Sequence, residues 1–115
     1  MITVYQIKLS DNDILRANAQ GFEVAPTVFA KSSMMMGAKK WNPDYAPLYK
    51  ATYEVDTDDL DEAFELTNLW HDESVITRLC RGGSSSVGDI FVKDGNCFIV
   101  DNFGFTAIGK YELGK

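Results

Sequence analysis

Seven consecutive residues, Gly82 to Gly88, are glycine, serine or valine. A loop of that composition can turn several backbone N–H groups towards a phosphate. Phosphate loops of the P-loop type also need a helix behind the glycines and a lysine among them. Here the strand-like run Gly88 to Lys93 follows, and the nearest base is Arg81. The loop therefore reads as a structural turn, with the hydroxyls of Ser84 and Ser86 bonding to nearby backbone. The alternative is a small-ligand or catalytic site over Ser84–Asp89. Asp89 and Asp101 could form a carboxylate pair across a hairpin, but acid–base or metal chemistry would need further groups converging on them. His71 reads as a solvent-facing residue at a helix end. Cys80 as nucleophile with His71 as base is the best enzymatic pairing on offer. Cys80 and Cys97 lack metal-ligand spacing and read as free thiols of a reducing compartment. No metal or cofactor is expected, and the chain is not expected to be an enzyme.

Charge and exposed apolar groups point towards binding instead. The net charge is −6. Nine acids lie between Glu54 and Glu73, with no Lys or Arg between Lys50 and Arg78. Such a field repels nucleic-acid phosphate and attracts basic protein surfaces. Asp58, Asp61, Glu62 and Glu65 fall on one side of an expected helix, where Asp58 with Glu62 and Asp61 with Glu65 are repulsive i, i+4 pairs. The sequence tolerates that repulsion, which a solvated face or a surface for a basic partner would both explain. Met34, Met35 and Met36 span more than half of a helix circumference, so they cannot all reach one core. Met35 and the loop residue Trp41 are candidates for an apolar contact surface. Trp41 could equally fold over the edge of the core, and a homodimer contact would explain the same residues.

Elements to carry these groups follow from periodicity. Met1 to Leu9 alternates as a strand, with Thr3, Tyr5, Ile7 and Leu9 on one face. Ser10 and Asp13 form a capping arrangement for a helix over Asp11 to Gln20, stopped by Gly21 in the left-handed region. A second helix over Val24 to Met36 has Pro26 near its start and Gly37 at its end, with Val28, Phe29, Met35 and Met36 turned to the core. Lys39 to Pro47 is a loop. Leu48 to Val55 is a strand, and Asp56 or Thr57 caps a helix to about Asn68 with the stripe Leu60, Ala63, Phe64 and Thr67. Gly88–Lys93 and Asn96–Asp101 pair across Asp94-Gly95, a strong hairpin signal. Asn102 to Gly104 turns the chain into a last strand, Phe105 to Tyr111. Leu60, Phe64, Phe98, Val100 and Phe105 are the expected core. The result is a single small α+β domain, 115 residues long, with an antiparallel or mixed sheet and two to three helices. No apolar run approaches a membrane span and no leader peptide opens the chain, so a cytoplasmic protein is expected.

With these elements placed, the chain resembles the YodL-like domains of phages, prophages, plasmids and other mobile elements. The match begins weakly at VYQIK (Val4 to Lys8) and continues through YKATYEV and DLDEAFELTN, the latter with Leu60, Glu62, Phe64 and Asn68. It is more specific at Gly83, Ser84, Ser86, Val87, Gly88 and Asp89, and again at Val100, Asp101, Asn102, Gly104 and Phe105. Ser85 stands where the family usually has Leu, Gly83 where it usually has a base, and LWHDESVITRLCRG replaces a proline-rich stretch. The resemblance places Asp89 and Asp101 at turn boundaries, where bonding to backbone N–H groups is the economical role. It implies a mobile-element accessory protein and implies no reaction. The function expected is binding and modulation of a host protein in the bacterial cytoplasm. An anti-restriction or anti-CRISPR inhibitor with a nucleic-acid-mimicking acidic face is the second reading, and a ligand site at the Ser84–Asp89 turn is the third.

Overall fold

The structure, a computed structural model, describes residues 1–114, with Phe22 described by its backbone alone. Six strands form one sheet: β1 Ile2–Ile7, β2 Tyr49–Val55, β3 Ile76–Arg78, β4 Ile90–Lys93, β5 Asn96–Val100 and β6 Phe105–Gly109. Their order is β3-β2-β1-β4-β5-β6, and every neighbouring pair is antiparallel. Three α-helices accompany them: α1 Asp11–Gln20, α2 Pro26–Met34 and α3 Leu60–Leu69. This is the expected α+β domain, and of the two sheet types it is the antiparallel one. No helix among the described residues is long and apolar enough to cross a membrane.

Antiparallel sheets often leave one face wet, but this one is covered on both. Side chains alternate along each strand, so β1 sends Ile2 and Val4 to one face and Tyr5 and Ile7 to the other. On the first face Ile2, Val4, Tyr53, Val55, Phe91 and Val100 pack under Ala63 and Leu66 of α3. On the second, Ile7, Tyr49, Ile90, Cys97 and Ile99 pack under Ala30 and Met34 of α2. Tyr49, Tyr53 and Phe91 are the largest fully buried side chains. Of the expected core only Val100 is fully buried; Leu60, Phe64, Phe98 and Phe105 are half-buried. Phe105 lies on the edge strand β6, and Phe98 on β5 beside it.

Both later helices begin after their expected starts. In α3 the cap is Asp59, whose carboxylate accepts from Glu62 N at 3.1 Å. The helix therefore begins at Leu60, and its buried stripe is Ala63, Leu66 and Thr67. Asp58 precedes the helix, so it makes no helical i, i+4 pair with Glu62. α2 begins at Pro26, and its buried residues are Ala30 and Met34. Phe29, Met35 and Met36 are exposed instead of facing the core. Ser10 caps α1 as expected. Asp13 does not complete a capping box; its carboxylate accepts from Thr27 N at 2.8 Å and Thr27 Oγ1 at 2.6 Å. Gly21 closes α1 with φ 92° and ψ 155°, outside the left-handed helical region. The expected loop over Lys39 to Pro47 instead contains two short 3-10 turns, Ala38–Lys40 and Pro43–Leu48.

The hairpin forms as read. Asp94 and Gly95 both have positive φ, 51° and 79°, as a type I′ turn requires. β6 stops at Gly109, two residues short of the expected end. The short edge strand β3 was not foreseen; three residues are too few to show a period.

Burial ranks the aromatic residues differently from the sequence pattern. Phe91→Ala should cost about 3–5 kcal/mol, since that ring is fully buried between β1 and β5 under α3. Phe98→Ala should cost distinctly less. Urea titration of both variants checks the order.

Candidate functional site

The glycine-serine loop joins β3 to β4 and lies against the buried edge of the first core. Gln6, on the same face of β1 as Val4, donates from Nε2 to Asp89 Oδ2 at 3.0 Å and to Gly83 O at 3.1 Å. Its Oε1 accepts from Gly83 N at 3.3 Å. Tyr53 donates to Gly83 O at 2.9 Å and Tyr49 donates to Gly88 O at 2.6 Å. Burial pushes the Tyr49 phenol well up, which keeps it a donor at any ordinary pH. A bulge in β2 skips Thr52 in the pairing with β1. Thr52 donates to Val4 O at 3.0 Å and its carbonyl accepts from Leu79 N.

The serine that holds the loop is Ser85, not Ser84 or Ser86. Ser84 and Ser86 are exposed, whereas Ser85 is buried and meets Thr67 Oγ1 at 2.5 Å. Thr67 has one hydroxyl proton and directs it to Ala63 O at 2.8 Å, so Ser85 is the donor to Thr67.

Asp89 is 3% exposed. Its Oδ2 accepts from Gln6 and from Ser86 N at 3.0 Å. Burial pushes its carboxyl up to about 6, against the opposing effect of those two hydrogen bonds and of Lys31. Asp101 goes the other way. It accepts from Thr106 Oγ1 at 2.6 Å, Asn102 N at 2.8 Å and Ala38 N at 3.3 Å, and these bonds hold its carboxyl below the usual range. The two carboxylates thus serve different sets of partners, each in a turn, and they do not act as a pair.

Around Asp101 a second rigid turn is built. Asp101 N donates to Gly104 O at 2.8 Å, and Asn102 Nδ2 reaches Met36 O at 3.4 Å. Gly37 lies beneath it, where a Cβ would come within 2.8 Å of Asp101 Oδ1. At the tip of this turn Phe103 is 96% exposed. Nothing in the sequence marks Phe103 as exposed, since a lone aromatic residue in a turn has no period to assign it to a face. Phe105 returns inwards and packs on Phe91 and Phe64, with ring centroids 5.2 and 6.4 Å away.

Asp61 borders this turn, whereas Glu62 and Glu65 line a separate recess with His71 and Asp72. Asp59, Asp61, Glu62 and Glu65 are exposed, and Asp58 is paired with the amino group of Met1. An open cleft of about 710 Å³ runs between Asp58, Asp59 and Asp61 on one wall and Lys93, Gly104 and Phe105 on the other. A smaller cavity of about 290 Å³ shares Asp61, Gly104 and Phe105 and extends to Phe64 and Asn102. Met35 is exposed beside Met36, whose carbonyl holds Asn102. Trp41 takes the other course weighed for it. It is half-buried over the core edge, with ring centroids 6.1 Å from Tyr49 and 5.3 Å from Tyr111. Cys80 directs its thiol to Ala51 O at 3.2 Å, so it is not aimed at His71, which is exposed near Glu62 and Glu65.

No family model matches the chain, and no curated protein or solved structure is significantly similar to it.

Two predictions follow from the loop. Asp89 binds its proton more tightly folded than unfolded, so its contribution to stability is full below about pH 4 and is lost as pH rises through about 6. The loss is on the order of 3 kcal/mol. Asp89→Asn keeps an acceptor towards Gln6 and Ser86 and should remove this slope, as denaturant titration across that window would show. Gly82→Ala puts a Cβ 2.5 Å from Gln6 Oε1 and 2.9 Å from Thr52 Cγ2, while one at Gly83 meets nothing within 4 Å. Gly82→Ala should therefore cost about 1–3 kcal/mol, and Gly83→Ala less than about 0.5 kcal/mol, as measured by thermal unfolding.

Proposed function

We propose that the chain is a non-enzymatic binding protein whose partner is another protein with a basic surface and an apolar recess. In keeping with the resemblance to mobile-element domains, that partner would be a host protein met in the bacterial cytoplasm. The observation that carries this reading is Phe103, 96% exposed at the tip of a turn whose backbone Asp101 and Asn102 hold in place. Leaving a phenylalanine in water forgoes about 1.5–3 kcal/mol of burial. Rigid aromatic anchors of this kind dominate binding energies when a partner pocket receives them. The acidic wall of the neighbouring cleft supplies long-range attraction for a basic partner and speeds encounter more than it adds affinity. Met35 and Met36 extend the apolar part of the surface. Phe103 also favours a protein pocket over the nucleic-acid groove of the mimicry reading, since a groove shaped for phosphate has no recess for an aromatic tip. The commitment of Asp89 to Gln6 and Ser86 N, and of Asp101 to Thr106 and two backbone N–H groups, supports binding over catalysis.

Partner capture from host lysate with tagged protein, followed by calorimetry on the purified partner, tests the reading. Phe103→Ser should weaken binding by about thirtyfold, equivalent to roughly 2 kcal/mol. Asp61→Lys, Glu62→Lys and Glu65→Lys together should weaken it and abolish its salt dependence. The fold should survive, because these positions are exposed and lysine is a good helix former. Unchanged affinity in both variants would remove this surface as the site.

A further inference from the structure

At the other end of β1, some 20 Å from the acidic cleft at about 3.3 Å per residue, the charge is reversed. A cavity of about 200 Å³ lies between the end of β1, α2 and the glycine pair, and Lys8, Lys31 and Arg81 are among its lining residues. We propose that this cavity binds the phosphate or pyrophosphate group of a small molecule.

Three observations carry the proposal. First, the cations converge from separate places in the chain: Lys8 follows β1, Lys31 lies on α2 and Arg81 lies in the loop after β3. None is in an ion pair among the described residues, where the pairs are Met1 with Asp58 and Arg78 with Glu73. No carboxylate is among the lining residues, in a chain with 17 acids and 11 Lys and Arg. Lys31 is partly offset by Asp89 behind it, but Lys8 and Arg81 face the same concavity without a carboxylate between them, and an anion there relieves the repulsion.

Second, the cavity wall includes bare backbone. Gly82, Gly83 and Ser84 line it, and a Cβ at Gly83 would meet nothing within 4 Å, so a ligand can approach the peptide groups closely. The N–H groups of Gly82 and Ser84 take no acceptor among the described residues, whereas Gly83 N is held by Gln6. Gln6 therefore fixes the loop, and the two neighbouring amides remain available for an anion. Third, the size selects the ligand. The volume equals roughly seven waters at about 30 Å³ each, below the ~300 Å³ at which drug-sized pockets begin. A phosphate or pyrophosphate fits inside, and the rest of the molecule would project into solvent past Lys8.

Titration of inorganic pyrophosphate, followed by calorimetry and by thermal unfolding, tests the site. The full chain should bind at one saturable site and unfold at a higher temperature with pyrophosphate present. Lys8→Gln with Arg81→Gln should lower affinity by at least about tenfold. Both residues are exposed, so this variant should keep the wild-type unfolding temperature without ligand. Lys31→Gln alone should also weaken binding, and Lys39→Gln with Lys40→Gln should leave it unchanged. A nucleoside diphosphate binding as well as pyrophosphate does supports the projecting geometry. No saturable binding at millimolar pyrophosphate, or equal losses in the Lys39 and Lys40 pair, would overturn the proposal. So would tighter binding of a single-stranded oligonucleotide than of pyrophosphate, since that would make the ligand a nucleic acid.

Discussion

The buried carboxamide of Gln6 both donates to and accepts from the glycine-serine loop, and in the same place it donates to Asp89. β1 is thereby joined to the segment that leads into its own neighbour, β4. The two cores meet along β1, so anything that fixes the position of Gln6 fixes both. Asp89 is the expensive member of the arrangement, because its burial opposes ionisation. It is retained where its carboxylate closes the turn on Ser86 N and where Lys31 lies near enough to moderate the charge. Tyr49 and Tyr53 add hydroxyl donors to the same loop from β2. A loop without regular secondary structure is thus held by side chains of the two strands beneath it, and it gains the definition that a site requires.

The molecule places its two candidate surfaces at opposite ends of the sheet. One end has acidic side chains, an open cleft and an aromatic tip. The other has three bases around a small recess. A net charge of −6 hides this division, since long-range attraction depends on where charge sits as much as on its sum. The Asp101 turn shows how rigidity and exposure can coexist. Three donors fix the carboxylate, the turn is tied to Met36 and Ala38 beyond the end of α2 and to β6, and Phe103 is left in water because the backbone on either side is committed.

Much of the fold could be read from residue order where a local rule acts alone. Asp94-Gly95 needs only its own backbone, and Ser10 and Pro26 act within one helical turn, so all three read correctly. The core could be read less well. Phe64 and Phe98 have the right period, but period does not say how far a sheet extends beyond its covering helix. Leu66 was missed because Ala63 and Thr67 do face the core as expected, but the centre of the buried stripe lies towards Leu66 and leaves Leu60 and Phe64 at its margin. Of the site, the acidic surface and Met35 were legible as exposed groups. Phe103 was not, because a lone aromatic residue in a turn has no period to assign it to a face. The convergence of Lys8, Lys31 and Arg81 was invisible, since it depends on a strand, a helix and a loop that only the tertiary fold brings together.

The strand order has a consequence for how the chain folds during synthesis. β1 lies in the middle of the sheet, yet Ile7 must wait for Tyr49, and Tyr5 for Ile90. As the chain leaves the ribosome, β1 is made before either of its partners. One of its edges can close once β2 has emerged, but the other stays open until β4 follows it. Pairing over such distances is slow, and an unpaired apolar strand invites association with other chains in the meantime. In a chain with this topology the β4-facing edge of β1 is therefore the one exposed longest before the sheet closes.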